Sequence, residues 1–137
     1  MPSSRKMALL HGSWATNYHL ATVATLNEDQ ANLLIGIPKS GGRDVWDQWY
    51  NFEPRDLMVI LDYPLDKPIK VLIPAEEYTR PSGLASFGMF LLAVARKYEE
   101  LYQAPQRYGI WGHGIGDLYF EMVTVGKDGG VKLFIGS

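Results

Sequence analysis

Hydrophobic residues recur with a helical period between Phe87 and Tyr102. Successive apolar positions are three or four residues apart, and most of the charged side chains among them fall on the other side. That spacing is typical of an amphipathic helix that buries one face. Ser82 or Ser86 can serve as its N-cap, and Pro105 ends it. The apolar positions are Phe87, Leu91, Val94, Tyr98, Leu101 and Tyr102.

Two pairs of mostly apolar runs predict β-hairpins on either side of this helix. Residues 57–63 and 69–74 flank a short connection that contains proline and aspartate, which are turn-forming residues. Residues 118–125 and 131–135 flank a Lys-Asp-Gly-Gly turn, and Asp-Gly between apolar runs is a strong hairpin signal. Because residues 57–61 are apolar at every position, we expect a central strand that is covered on both faces.

The segment 20–26 permits two interpretations. Its Thr and Val residues are typical of a strand, which would form a hairpin with residues 33–37. Alternatively, Asn27 caps a helix and Gln30 completes a capping-box-like pair with it. A glycine and a proline shortly afterwards leave little room for a long helix, which favours the hairpin.

Together these elements predict an α+β fold, with an antiparallel sheet of about four to six strands packed against one main amphipathic helix. The length of 137 residues suits a single domain. Within it, residues 57–137 form the hairpin–helix–hairpin core, and residues 1–50 form a less clearly patterned N-terminal part.

Composition narrows the function classes. The formal net charge of −2 argues against a nucleic-acid binder, which usually carries a basic stripe. The chain has no cysteine, so disulfides, thiolate nucleophiles and cysteine-ligated metals are excluded. No apolar run approaches the roughly 18 residues of a membrane span. We therefore expect a cytoplasmic protein without nucleic-acid or membrane partners.

A glycine-rich segment after the helix is the first candidate site. It contains Tyr108, Trp111, His113 and Asp117 among four glycines. One interpretation is a binding or proton-transfer site built on an aromatic surface. The other is a tight connection in which Trp111 covers the core and His113 bonds to the backbone.

Metal binding and catalysis find little support in the sequence. His113, Asp117 and Glu121 would share a helix face, but the intervening glycines disfavour a helix. His11 and His19 do not add a recognised ligand spacing, so no metal or other cofactor is predicted. No nucleophile elbow is present, which favours a protein that is not an enzyme while leaving catalysis open.

An aromatic cluster is the second candidate site. Trp46, Trp49 and Tyr50 share one face if their segment is helical. If that face is buried, the three residues belong to the core. If it is exposed, they form a binding hot spot, because Trp and Tyr dominate such centres.

The string Tyr-Gly-Ile-Trp-Gly-His at residues 108–113 resembles a segment of small uncharacterised bacterial proteins. The resemblance runs from about Leu57 to the C-terminus and leaves residues 1–50 outside it. It implies a bacterial source and no particular activity. Besides the string, it takes in Asp117, Leu118, Glu121, the stretch 61–65 and the stretch 135–137.

Small size, the lack of a catalytic constellation and clustered aromatic residues favour a protein-binding module. Such a module could be an immunity-type protein or another inhibitor that neutralises a partner protein. The alternative is a small-molecule-binding protein or small enzyme with its site around the glycine-rich segment. A third hypothesis is a structural subunit that pairs through an open sheet edge. The predicted binding residues are Trp46, Trp49, Tyr50, Tyr108, Trp111, His113 and Asp117.

Overall fold

The computed structural model describes residues 12–40, 54–81, 83, 85–110 and 112–137. This part of the chain contains six β-strands, three α-helices and three short 3-10 turns. The strands are β1 (Gly12–Ala15), β2 (Ile37–Ser40), β3 (Leu57–Leu61), β4 (Ile69–Ile73), β5 (Tyr119–Val125) and β6 (Gly130–Gly136). The helices are α1 (Leu20–Ala24), α2 (Glu28–Ala31) and α3 (Phe87–Tyr102). The 3-10 turns are Ala75–Glu77, Pro105–Tyr108 and Ile115–Asp117.

The six described strands form one sheet in the order β2-β1-β5-β6-β3-β4. Four of its neighbouring pairs are antiparallel, and the β3–β6 pair is parallel. The sheet is therefore mixed, whereas the sequence predicted an antiparallel one. The reason lies in α3, which crosses over from β4 to β5. Such a crossover makes β4 and β5 run in the same direction. Their respective hairpin partners, β3 and β6, are therefore parallel to each other where they pair.

The α+β class and the main helix are confirmed. Helix α3 begins at Ser86, whose hydroxyl accepts the backbone N–H of Met89 at 3.2 Å. Residues 87–95 are all buried, because the sheet lies on one side of this half of the helix and α1 and α2 pack on the other. A Cβ at Gly88 would lie only 1.7 Å from the carbonyl oxygen of Ala31, so α2 and α3 approach closely. None of the helices in the described residues is long and apolar enough to cross a membrane.

The hairpin predicted for residues 20–26 and 33–37 is wrong. The alternative, a helix capped by Asn27, is present as α2, and residues 20–24 are helical as well. Leu20 and Val23 are buried three residues apart, as a helix that faces the core requires. Asn27 and Gln30 form a complete capping box, with bonds of 2.9 and 3.0 Å between side chain and backbone. Tertiary packing thus overrides the strand propensity of the Thr and Val residues.

The two other predicted hairpins are confirmed as β3–β4 and β5–β6. The expectation that β3 is covered on both faces is wrong. Val59 is buried on the side of α3, but Met58 on the opposite side is 40% exposed. All three described helices lie on one face of the sheet, so the other face, called the open face below, is not covered by any of them.

Candidate functional site

A cavity of about 340 Å³ lies where the β3–β4 connection meets the glycine-rich segment. His113 belongs to the glycine-rich segment and lines the wall of this cavity. The β3–β4 connection provides the rest of the wall, and neither segment is part of a regular helix or strand. The lining residues are Tyr63, Pro64, Leu65, Asp66 and His113.

Two hydrogen bonds hold the β3–β4 connection against the rest of the molecule. The hydroxyl of Tyr98 on α3 donates to the carbonyl oxygen of Tyr63 at 2.9 Å. The backbone N–H of Asp66 donates to the carbonyl oxygen of Tyr108 at 3.3 Å. Gly109 has a φ of +67°, and a Cβ there would lie 2.2 Å from the carboxyl carbon of Asp66. Glycine is therefore required for this close approach.

A chain of side-chain hydrogen bonds joins two of the lining residues, Tyr63 and His113, to Ser137. The hydroxyl of Tyr63 lies 3.1 Å from Nε2 of His113 and 2.8 Å from Oγ of Ser137. A phenol hydroxyl has one proton, so it can donate to one of these groups while it accepts from the other. The three side chains can therefore relay a proton between the imidazole and the serine hydroxyl.

The position of His113 is fixed through its backbone. The hydroxyl of Tyr102 donates to the carbonyl oxygen of His113 at 3.1 Å. Burial raises the pKa of Tyr102, and the negative charge of Asp117 raises it further. The phenol consequently stays protonated and remains a donor at neutral pH.

No family model matches this chain, and neither a characterised protein nor a solved structure was found that matches it. The resemblance of residues 108–113 to small bacterial proteins stays a prediction. The function must therefore be argued from the geometry.

The structure brings together only part of the predicted site. His113 lines the cavity, as the small-molecule hypothesis requires. Asp117 does not line it, and its carboxylate instead accepts the backbone N–H of Gly114 at 3.1 Å. The ring of Tyr108 lies beneath the guanidinium of Arg107, with 5.6 Å from that carbon to the ring centre. The remaining predicted residues, Trp46, Trp49, Tyr50 and Trp111, lie outside the described residues.

Sequence reasoning did not identify Tyr63, Asp66 or Ser137 as site residues. Tyr63 and Asp66 belong to the Pro/Asp connection that was interpreted only as a turn. The signal that could have found them is the Tyr-Pro pair in that connection, because an aromatic ring beside a turn is well placed to face a pocket.

No group of three or more metal-ligating side chains is present in the part of the chain that the structure describes. The residues that line the cavity offer one imidazole, one carboxylate and one hydroxyl group. These groups can bind an organic ligand by hydrogen bonds and can move a proton.

A second candidate surface lies at the opposite edge of the sheet, in the residues that lead into and begin β2. Leu33, Ile35 and Ile37 are 71%, 36% and 63% exposed. They are alternate residues of the chain, and Leu34 between them packs against the core. We call Leu33, Ile35 and Ile37 the aliphatic ridge.

The backbone beneath the aliphatic ridge is held firmly. Gly36 is buried, and a Cβ at this position would lie 2.6 Å from Cβ of Trp14. The backbone N–H of Ile35 donates to the hydroxyl of Tyr18 at 3.2 Å. The ridge therefore presents large apolar side chains on a backbone that is anchored at Ile35 and Gly36.

Proposed function

We propose that this chain is a small protein-binding module that uses the aliphatic ridge to contact a partner protein. The observation that carries the proposal is the exposure of Leu33 and Ile37, at 71% and 63%. Aliphatic side chains gain free energy when they leave water, and clustered exposed ones commonly mark protein contacts.

The anchored backbone of the aliphatic ridge strengthens this proposal. A partner that binds a preorganised surface does not have to offset the entropy of ordering it. The hydrogen bond from Ile35 to Tyr18 and the packing of Gly36 on Trp14 supply that order in the free protein. The complementary partner surface is an apolar groove that admits alternate side chains of this segment.

The module acts as an inhibitor of the immunity type, which neutralises its partner by covering a groove that the partner needs for its own activity. Small size and a rigid apolar contact surface suit this role. The predicted aromatic cluster of Trp46, Trp49 and Tyr50 follows the ridge closely in the sequence and is proposed to extend the same contact.

The test is quantitative capture of partners from an extract of the source organism, followed by titration of each identified protein in purified form. The bait proteins are the wild type, Leu33→Asp/Ile37→Asp, and the control Ala104→Asp. The control places the same charge on an exposed residue just after α3, outside the aliphatic ridge. The proposal predicts a saturable complex with the wild type and the control, and none with the ridge variant.

Inhibition is tested on the same purified partner. Its activity is expected to fall in the presence of the wild type and to be unaffected by Leu33→Asp/Ile37→Asp. A partner that binds all three bait proteins equally would show that the ridge is not the contact surface.

Binding of a small molecule in the His113 cavity is a second candidate function. The observation in its favour is that His113, Tyr63 and Asp66 line one cavity of about 340 Å³, with the Tyr63 hydroxyl 3.1 Å from Nε2 of His113. That size lies in the range of small-ligand pockets. Its test is a fragment screen by NMR on the wild type and His113→Gln. Ligands that bind both proteins equally would rule out the role proposed for His113.

A further inference from the structure

The open face carries an ordered set of charged and apolar side chains on strands β6, β3 and β4. β3 and β6 run in the same direction, and β4 runs in the opposite one. Strand register places Met58, Leu72 and Gly130 in an apolar row, and Lys70 and Lys132 with Ile60 between them in a basic row about 7 Å away. Asp56 precedes β3 and Asp128 lies in the turn before β6, and both line the same hollow. We call these two residues the acidic row, since they lie beyond the apolar row at the end opposite the lysines.

The middle of this surface is a hollow of about 320 Å³ over the apolar row. Met58 and Leu72 are 40% and 47% exposed beside it. Gly129 and Gly130 also line the hollow, and the lack of a side chain at the exposed Gly130 leaves room for apolar groups of another molecule. Exposed apolar side chains around such a hollow favour contact with another protein.

The charged rows have no ionic partners of their own in the part of the chain that the structure describes. The ion pairs within the described residues join Lys97 to Glu77 and to Glu100, none of which belongs to these rows. Asp56 and Asp128 each accept one backbone N–H through Oδ1 at 2.9 Å, which leaves Oδ2 available. Both rows can therefore pair with charges on another molecule.

We propose that a second copy of the chain covers this surface, face to face, and that the protein is a homodimer. The two-fold axis runs across the strands above the apolar row. Rotation about such an axis reverses the strand direction, so the acidic row of each copy lies over the basic row of the other. The pattern of acidic, apolar and basic rows is thus complementary to itself.

The same rotation leaves each strand above its own counterpart. Asp128 of one copy, in the turn that leads into β6, then lies near Lys132 of the other. Asp56 lies above β3 of the second copy, one strand away from Lys70. Packed sheets are about 10 Å apart, a gap that the lengths of a lysine and an aspartate side chain bridge together.

Apolar contacts form at the axis itself. Met58 meets its counterpart on β3, and Leu72 meets its counterpart on β4. Methionine is unbranched and flexible, so Met58 can fill the irregular hollow beside Gly130 of the second copy. Charge pairs around an apolar centre determine the register of the two copies.

This dimer leaves the aliphatic ridge free. The ridge leads into β2, at one edge of the sheet, whereas the dimer contact is centred on β3, next to the other edge strand. The inference is therefore independent of the proposed function, and each copy keeps its own ridge for a partner.

Sedimentation equilibrium over a wide range of protein concentrations tests the dimer. The wild type is expected to approach twice the monomer mass, and added salt is expected to weaken the association. Lys70→Glu/Lys132→Glu should weaken it by roughly tenfold or more, because every facing charge pair becomes repulsive. Asp56→Asn/Asp128→Asn should weaken it less, and asparagine retains an acceptor for the two backbone N–H groups. Leu33→Asp is the control that should dimerise normally.

A mixing experiment separates the proposed register from other modes of self-association. Lys70→Glu/Lys132→Glu has acidic side chains in both charged rows, and Asp56→Lys/Asp128→Lys has basic ones in both. Each variant alone should self-associate more weakly than the wild type, and an equimolar mixture should form a heterodimer more tightly than either variant associates with itself. Circular dichroism confirms that each variant is folded. Should the basic variant fail to fold, the Lys70→Glu/Lys132→Glu result alone decides the proposal.

A wild type that stays monomeric at all concentrations would overturn the proposal. A dimer that tolerates Lys70→Glu/Lys132→Glu would also overturn it, because association would then use another surface. Neither result bears on partner binding, which depends on Leu33 and Ile37. The dimer and the proposed function can therefore fail separately.

Discussion

The hydroxyl of Tyr98 donates a hydrogen bond to the backbone carbonyl of Tyr63, with 2.9 Å between the two oxygens. Tyr98 lies in the main helix, and Tyr63 lies in the connection that lines the cavity. This bond couples the core of the fold to the cavity wall. Tyr98 has no exposed surface, so the carbonyl would lose a partner that water cannot easily replace.

Tyr98→Phe should lower the free energy of unfolding by about 1–2 kcal/mol, because it leaves the Tyr63 carbonyl without its donor. Urea denaturation measures the change. Tyr108→Phe is the matched control, since no described residue accepts a hydrogen bond from the Tyr108 hydroxyl. Equal stability of Tyr98→Phe and Tyr108→Phe would contradict the importance of this bond.

Stability should fall in alkaline solution. Burial raises the pKa of Tyr98 well above its usual value of 10.0, and the nearby charge of Asp62 raises it further. The unfolded chain loses this proton near pH 10, whereas the folded chain keeps it. The stabilisation is therefore complete below pH 10 and decreases as the pH rises further, by about 1.4 kcal/mol per unit for one tyrosine.

The control for this pH dependence is again Tyr98→Phe. It removes the titrating group, so its free energy of unfolding should decline less steeply above pH 10 than that of the wild type. Burial also raises the pKa of Tyr78, so some decline should remain in the variant. Parallel curves for the two proteins would show that Tyr98 does not contribute.

Two glycines with positive φ provide a matched pair of substitutions. Gly109 has a φ of +67° and Gly112 a φ of +81°, but only at Gly109 would a Cβ overlap another group, the Asp66 carboxylate. Gly112→Ala should cost about 1 kcal/mol of backbone strain. Gly109→Ala should cost about 1–3 kcal/mol more, because Asp66 must move. Thermal unfolding compares them, and similar losses would argue against close packing at Gly109.

Gly88→Ala tests the contact between α2 and α3. Alanine favours a helix interior by about 1 kcal/mol over glycine, which alone predicts stabilisation. However, the new Cβ would lie 1.7 Å from the carbonyl oxygen of Ala31, and a backbone atom cannot move aside cheaply. We expect net destabilisation in urea denaturation. An increase in stability would show that α2 is not packed against this position.

The parts of the fold that the sequence predicted depend on local patterns. Helix α3 was visible because its apolar residues repeat every three or four positions and Ser86 caps it. The hairpins were visible from short turns between apolar runs. The parallel pairing of β3 with β6 depends on the crossover through α3, which no local pattern specifies.

The N-terminal helices show how two local signals can conflict. Thr and Val favoured a strand at residues 20–26, while the capping box of Asn27 and Gln30 favoured a helix directly after them. Packing on α3 decided the outcome, because it buries both Leu20 and Val23. Propensity alone carries too little free energy to compete with such burial.

The candidate site was only partly predictable for a related reason. His113 was noticed because its surroundings are rich in glycine and aromatic residues. Its hydrogen-bond partner Tyr63 is 50 positions away in the sequence, and Ser137 is 74 positions from Tyr63. Contacts over such separations come from the topology of the sheet. The exposure of Leu33 and Ile37 was equally hidden, since an apolar run in the sequence is usually interpreted as core.

Calorimetric titration of the identified partner into wild-type and variant protein tests the central claim most directly. The account predicts that Leu33→Asp/Ile37→Asp weakens binding by about 100-fold or more, because two large apolar contacts are replaced by buried charges. The control Ala104→Asp should bind like the wild type. Equal affinity of the ridge variant and the wild type would contradict the claim that the aliphatic ridge is the protein-binding surface.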